Sequence, residues 1–123
     1  MNTNFMGAIR MTKAVFPLLK KNEDARIINI SSEMGKMSNL SGDHAAYRLS
    51  KWAMNGFTIM LSKELQDTNI KVNAMCPGWC HTDMGGTAAP RTPSQGAETA
   101  TWLATSNDVG SEKFYSNKKE IGW

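Results

Sequence analysis

Two short apolar runs, separated by a longer segment of helical periodicity, constrain the fold of this chain most strongly. Residues 26–30 form an isoleucine-rich run, and residues 69–75 form a second run of similar character. Between them, residues 44–65 place apolar side chains three or four positions apart, which is typical of an amphipathic helix. Strands that alternate with helices favour a parallel sheet, so this pattern predicts an α/β fold.

Further segments extend the alternation toward both ends of the chain. Residues 2–21 have apolar positions at helical spacing, with Asn or Thr available as the N-cap, and Ser94 is expected to cap a helix that runs to Ala104. Residues 113–116 are a weaker strand candidate. The chain of 123 residues is long enough for one modest domain and too short for a nucleotide domain plus a separate substrate domain.

Composition and charge argue against several classes of function. The net charge of +3 comes from lysines and arginines that are scattered singly or in pairs, whereas a nucleic-acid-binding protein would carry a basic stripe. No stretch approaches the roughly 20 apolar residues that span a bilayer, so we expect no membrane partner and a cytoplasmic location. Two cysteines and two histidines, without a clustered set of carboxylates, predict that there is no metal site.

The candidate site lies where the two central strands end. In parallel sheets ligands bind beyond the carboxyl ends of the strands, which are followed here by Ser31-Ser32 and by Cys76-Pro77-Gly78. Tyr47 and Lys51 are four residues apart on the long helix, so their side chains project from the same face. The lysine ammonium favours the phenolate, and a serine from the first strand could hydrogen-bond a substrate oxygen. Taken alone, such a pair is more often a solvated lysine beside a half-buried aromatic side chain.

Four motifs in a fixed order give the Tyr47 and Lys51 pair its context. Asn4-Phe5-Met6-Gly7 opens the first helix, Asn29-Ile30-Ser31-Ser32 ends the first strand, and Tyr47-Arg48-Leu49-Ser50-Lys51 follows on the long helix. Val72-Asn73-Ala74-Met75-Cys76-Pro77-Gly78 then precedes Trp79-Cys80-His81-Thr82-Asp83-Met84. Over essentially the whole chain, this ordered set resembles the short-chain dehydrogenase/reductase family, nearest to its carbonyl-reductase-like members.

The resemblance implies a catalytic role for four residues. Asn4 would help to hold a water molecule beside the active-site lysine, although it could also simply cap a helix turn. Ser32 would orient the substrate carbonyl, with the adjacent Ser31 as its competitor for this role. Tyr47 would transfer the proton and contact the cofactor, and Lys51 would favour the tyrosine phenolate and bind the nicotinamide ribose.

The resemblance also implies a cofactor-facing loop after the second strand. Pro77, Gly78, Trp79 and Cys80 match the family's loop that passes the nicotinamide ring, and Thr82 matches a residue that bonds the carboxamide. Each residue has a structural alternative: a strand-ending turn for Pro77-Gly78, a core aromatic residue for Trp79, a small buried side chain for Cys80, and a helix cap for Thr82-Asp83.

The matching region corresponds to the C-terminal half of the family's Rossmann-type sheet with its flanking helices. The Gly-rich turn that receives the cofactor pyrophosphate in that family does not occur in this sequence, so we expect residues 1–123 to form a partial dinucleotide-binding domain. The resemblance favours NADP(H) over NAD(H) as the cofactor and a small ketone, aldehyde or quinone as the substrate. We expect weak activity or none from the chain alone.

A homo-oligomer is the expected assembly state. The resemblance implies that residues 26–30 lack their expected parallel neighbour on one side, and the two long helices carry apolar positions that could pack against a symmetry mate. Gly56, in the middle of the long helix, costs about 1 kcal/mol relative to alanine, which predicts close packing at that position. An alternative from another class of function is a non-catalytic fragment that acts as a dimerisation module for a longer relative.

Overall fold

The computed structural model describes residues 1–123 and has the expected α/β architecture. The bounds of its elements, in chain order, are a π-helical turn at Asn2–Met6, α1 (Gly7–Leu19), β1 (Ala25–Ile30), two 3₁₀ turns at Glu33–Gly35 and Met37–Asn39, α2 (Ala45–Glu64), β2 (Ile70–Cys76), α3 (Pro93–Thr105), β3 (Lys113–Ser116) and β4 (Lys119–Ile121). The three predicted helices and three predicted strands are all present.

The strands form one sheet in the order β1-β2-β3-β4. β1 and β2 pair in parallel, with Ala25 opposite Ile70, and β2 and β3 pair in parallel, with Asn73 opposite Lys113. Each parallel pair is joined by a helix, α2 for the first pair and α3 for the second. This connectivity aligns the carboxyl ends of β1 and β2 at the same edge of the sheet, which is where ligands bind in such folds.

Helices cover both faces of the sheet. Successive residues of a strand point to opposite faces, and Ile27 packs in a cluster with Leu65, which follows α2, and with side chains of α1. Its neighbour Ile28 packs instead with Leu103 of α3. Because both faces are covered, the central strand β2 is buried along nearly its whole length.

The ends of the helices differ from the sequence expectations in two respects. Thr92, and not Ser94, caps α3: the Thr92 hydroxyl accepts from the Gln95 backbone amide at 3.2 Å, and the Gln95 side-chain oxygen accepts from the Thr92 amide at 2.8 Å. The first helix has no side-chain N-cap and begins as the π-helical turn. The expected Asn or Thr cap at that end was therefore wrong.

Strand β4 was not predicted from the sequence. It returns antiparallel to β3 through Asn117 and Lys118, whose φ angles are 50° and 60°. Two consecutive residues with positive φ form the tight turn that joins hairpin strands. The sequence lacks the glycine that usually signals such a turn, and a strand of three residues is too short to show a pattern.

The expected close packing at Gly56 is not found within this chain. A Cβ atom at Gly56 would meet no atom within 4 Å. The residue lines a cleft of about 320 Å³ between α2 and the C-terminal Trp123, together with Trp52 and Ile59. The glycine therefore makes room on the outer surface of α2 and not against the sheet.

The molecule exposes more surface than its size requires. Its accessible area is 7480 Å², compared with about 6,600 Å² expected for a folded monomer of this mass. β1 pairs along one edge only. Large apolar side chains are exposed on α1 (Met11 and Leu18) and on α2 (Leu49, Trp52 and Met60). None of the helices combines the length and the apolar character needed to cross a membrane.

Candidate active site

A cleft of about 1150 Å³ opens at the carboxyl ends of β1 and β2. The predicted site residues that line it are Ser32, Tyr47, Pro77, Gly78, Trp79, Cys80 and Thr82. Asn4 and Lys51 are not among the lining residues. The structure thus brings a serine from the β1 loop and a tyrosine from α2 to the same cavity, opposite the loop that follows β2.

The two adjacent serines after β1 have different surroundings. Ser31 is only 2% exposed, and its hydroxyl donates to Oδ1 of Asn55 at 2.5 Å. The Ser32 hydroxyl accepts from the backbone amide of Met34 at 3.1 Å, so its own proton remains free for another acceptor. Of the two serines, only Ser32 therefore presents a hydroxyl donor that a molecule in the cleft can use.

Lys51 lies one turn after Tyr47 on α2, as the spacing predicted. Its ammonium nitrogen is 5.7 Å from the centroid of the Tyr47 ring, and it donates to the carbonyl oxygen of Ile30 at 2.7 Å. Burial lowers the pKa of Lys51, while a negative charge on the neighbouring Cys76 would raise it. Lys51 thus places a cationic group beside the Tyr47 ring, although Lys51 itself does not line the cleft.

Asn4 contacts α2 and not the lysine. Its side-chain amide donates to the hydroxyl of Ser50 at 3.1 Å, and that hydroxyl in turn donates to the Tyr47 carbonyl oxygen at 2.7 Å. The link from Asn4 to Tyr47 therefore runs through a buried serine. The alternative reading of Asn4 as a helix cap is not found, since neither the π-helical turn nor α1 has a side-chain cap.

The loop after β2 turns sharply at Gly78, where φ is +77°. A Cβ atom at this position would lie 2.7 Å from Cδ of Arg91, so both the backbone angle and the close approach require glycine. The guanidinium of Arg91 donates to Asn117 Oδ1 at 2.7 Å and to the Gln95 carbonyl oxygen at 2.9 Å. Arg91 therefore packs against the turn at Gly78 and links it to α3 through the hydrogen bond to Gln95.

The rest of this loop forms an open rim. Trp79 is 56% exposed, so it is not the core aromatic residue of the structural alternative, and its indole N–H donates to the Gly85 carbonyl oxygen at 2.7 Å. The Thr82 hydroxyl accepts from the Gly85 amide at 3.0 Å, which closes a local turn. Cys80 is half-buried, with its thiol close to Gly96 of α3.

Sequence reasoning missed two residues that hold the site together, Asn55 and Arg91. Asn55 continues the four-residue spacing of Tyr47 and Lys51 on α2, and this spacing was available as a signal. Arg91 lies in an irregular segment, and its contact with Gly78 depends on the tertiary fold. No group of three or more His, Cys, Asp or Glu side chains is arranged to hold a metal ion.

Comparison with known proteins identifies the family of this chain. Residues 1–92 match the family described as short chain dehydrogenase. The chain belongs to the short-chain dehydrogenase family. The matched region contains β1, β2, α2 and every predicted site residue.

Individual relatives of this family cover the chain almost completely. The (+)-neomenthol dehydrogenase of Capsicum annuum is 27% identical over 160 aligned positions, which include 97% of this chain and 50% of that enzyme. The carbonyl reductase Sniffer of D. melanogaster is 31% identical with a TM-score of 0.85, and the NADPH-bound carbonyl reductase from chicken fatty liver is 29% identical with a TM-score of 0.84. The chain covers 55% and 54% of these two structures. It therefore spans about half the length of the relatives that it matches.

Proposed function

We propose that this chain carries the proton-transfer half of a nicotinamide-dependent carbonyl reductase. The observation that supports the proposal is that Ser32 and Tyr47, from two different elements, line one cleft beside the Pro77–Thr82 loop. Family membership makes oxidoreductase chemistry the expected activity.

The residues of the cleft have complementary tasks in this proposal. The free hydroxyl proton of Ser32 hydrogen-bonds the carbonyl oxygen of the substrate and holds it within reach of Tyr47. Tyr47 donates its phenolic proton to that oxygen as the negative charge develops. Lys51 stabilises the resulting phenolate through its positive charge one helical turn away.

The cleft suits the nicotinamide end of the cofactor. When bound there, the reduced nicotinamide supplies the hydride that adds to the carbonyl carbon. Met75, Pro77 and Trp79 give the cleft an apolar lining that can contact the nicotinamide ring. Tyr47 and Thr82 offer hydroxyl groups at the rim of the cleft. No lysine or arginine lines the cleft, so we propose that a second polypeptide segment anchors the pyrophosphate.

NADPH and a small uncharged ketone, aldehyde or quinone are the proposed reactants. The NADPH-bound chicken reductase, at 29% identity, supports the choice of NADPH over NADH. The cleft offers mainly apolar and small side chains, with Glu33 as the only carboxylate, which disfavours anionic substrates.

Calorimetric titration of the chain with NADPH and NADH, combined with a carbonyl reduction assay, tests the proposal. We expect Tyr47→Phe to lower turnover by about 10²- to 10⁴-fold, with a smaller effect on cofactor affinity, since the proton donor is removed and the aromatic ring is kept. Tyr115→Phe is the matched control, because Tyr115 is the only other tyrosine and lies outside the cleft lining. Turnover that survives Tyr47→Phe, or saturable NADPH binding that fails to support any reduction, would refute the proposal.

We also propose that the chain forms a homodimer through the exposed face of α2 and α1. The apolar residues Leu49, Trp52 and Met60 lie on one stripe of α2 with Gly56, whose missing side chain leaves room for a close approach. A second copy would present the same stripe in a two-fold arrangement. The excess of accessible surface over that of a compact monomer supports this assembly. No observation favours the alternative of a non-catalytic dimerisation module.

A further inference from the structure

The segment that carries Ser32 is tied to α2 at both of its ends by a single side chain. Oδ1 of Asn55 accepts from the Ser31 hydroxyl at 2.5 Å, and Nδ2 of Asn55 donates to the Gly35 carbonyl oxygen at 3.3 Å. Ser31 precedes Ser32, and Gly35 follows it by three residues. The amide of Asn55 therefore closes a small ring around the loop that presents Ser32 to the cleft.

This attachment uses the same surface of α2 that carries the proton-transfer pair. Tyr47, Lys51 and Asn55 follow one another at intervals of four residues and so share a helix face. A Cβ atom on Gly35 would lie 2.6 Å from the carbonyl carbon of Lys51, so the loop backbone rests directly on the helix backbone. Ser31 Oγ is also 3.3 Å from the Lys51 carbonyl oxygen. The position of Ser32 is thus fixed relative to the helix that holds Tyr47.

Burial protects the hydrogen bonds of Asn55 from competition with water. Asn55 is 4% exposed and Ser31 is 2% exposed, so water cannot replace either partner easily. Asparagine is a poor residue for the interior of a helix, and an apolar side chain would pack there without polar requirements. A second polar pair, Asn29 and Thr58, links β1 to α2 at 2.9 Å one turn farther along, but it does not contact the Ser32 loop.

We propose that Asn55 is a positioning residue that fixes the Ser32 hydroxyl relative to the Tyr47 phenol. The proposal rests on the function proposed above, in which both groups act on one carbonyl oxygen. Removal of the Asn55 side chain frees the loop to lift from α2, and Ser32 then loses its alignment although neither Ser32 nor Tyr47 is altered. A misplacement of about 1 Å at a reacting group costs roughly a hundredfold in rate.

The first test needs no turnover. Backbone amide exchange at Met34, Gly35 and Lys36 is compared among the wild type, Asn55→Ala and the control Thr58→Val, which removes the neighbouring buried pair. Met34 is the direct reporter, because its amide donates to the Ser32 hydroxyl. We expect exchange at Met34 and Gly35 to rise about tenfold or more in Asn55→Ala and to change little in Thr58→Val. Unchanged exchange at these amides in folded Asn55→Ala overturns the proposal.

The second test separates positioning from a general loss of structure. We expect kcat to fall at least about tenfold in Asn55→Ala with the KM for NADPH nearly unchanged, and Thr58→Val to retain kcat. In a double-mutant cycle, Ser31→Ala and Asn55→Ala should be non-additive in kcat, since both act through one link. If Tyr47→Phe abolishes turnover and Asn55→Ala does not reduce kcat, the positioning role is overturned while the proposed function stands. If the wild type binds NADPH saturably and has no turnover, the proposed function fails, and amide exchange alone decides whether Asn55 holds Ser32.

Discussion

Gly35 lies where the loop after β1 crosses α2, and it decides how close that loop can come. A Cβ atom there would be 2.6 Å from the Lys51 carbonyl carbon and 2.7 Å from the Trp52 amide nitrogen, and both are backbone atoms that cannot rotate away. The absence of a side chain at this position is what allows Ser32 and Tyr47 to face the same cleft.

Replacement of Gly35 tests this contact. We expect Gly35→Ala to lower the free energy of unfolding by about 1–3 kcal/mol, because the added methyl group forces the loop off the helix. Gly42→Ala is the control, since a Cβ atom at Gly42 meets nothing within 4 Å. Urea unfolding followed by circular dichroism gives both values. Equal stability of the two variants would contradict the close approach.

Tyr115 is a second residue whose surroundings have a measurable effect. It is 8% exposed and packs edge-to-face on Trp102 with ring centroids 5.3 Å apart. Burial raises the pKa of Tyr115, and the carboxylate of Glu120 adds to the rise. Because the unfolded chain ionises this tyrosine first, stability should fall as the pH rises from about 10 toward the higher folded pKa.

Titration of the phenol absorbance checks this expectation. We expect a late ionisation step that is missing in Tyr115→Phe and still present in Tyr47→Phe. The alkaline loss of stability should also be smaller in Tyr115→Phe, measured by thermal unfolding across the same pH range. A late step that persists without Tyr115 would show that burial does not control its ionisation.

At the scale of elements, the start of α3 depends on its capping box. We expect Thr92→Ala to cost about 0.5–2 kcal/mol, because the Gln95 amide loses its acceptor. Ser94→Ala provides the matched control, since Ser94 is exposed and makes no capping bond. Thermal unfolding of the two variants compares the residue that the structure identifies with the one that the sequence suggested. A greater loss in Ser94→Ala would reverse this assignment.

The elements that could be predicted are those whose signal is local and repeated. The apolar spacing of residues 44–65 predicted α2 to within one residue at each end. It did not predict the buried face of the helix, because Trp52 and Met60 are exposed and most of the buried residues (Ser50, Met54, Asn55, Thr58 and Ser62) are polar. The N-cap of α3 was misplaced although the sequence carried a local signal for it. Thr92 with Gln95 three residues later fits a capping box, and Pro93 is favoured at the first helical position. β4 escaped prediction because its turn uses Asn117 and Lys118 without glycine.

The candidate site was predictable to a similar extent. Ser32 and Tyr47 were expected at the carboxyl ends of the strands, and both line the cleft there. The supports of the cleft were missed. The four-residue spacing places Asn55 on the helix face of Tyr47 and Lys51, but its contact with the Ser32 loop, like the contacts of Arg91, depends on the tertiary fold. The catalytic and cofactor-binding roles of the predicted site residues stay predictions until they are measured.

At the scale of the whole molecule, the proposed homodimer depends on the exposed stripe of α2. We expect the chain to sediment as a dimer, and Met60→Glu to shift it to a monomer, since a carboxylate would be buried at the interface without a partner. Met60 is 73% exposed in the monomer, so the substitution should leave the fold intact. Ala104→Glu places the same charge on the exposed side of α3 and serves as the control.

Analytical ultracentrifugation over a range of concentrations measures this equilibrium. The melting temperature of the wild type should also rise with protein concentration, because association stabilises the folded state by mass action. A wild-type chain that remains monomeric at all concentrations, or a dimer that Met60→Glu leaves intact, would exclude the α2 interface.

The parallel register of the sheet also governs how fast this chain can fold. Ala25 meets Ile70, and Asn73 meets Lys113, so every contact in the central ladder joins residues that are distant in sequence. Each of the two parallel pairings requires a long connection to close before it contributes, whereas the helices can form locally. The rate of refolding should therefore be limited by the formation of the two parallel pairings, in which β2 lies between β1 and β3.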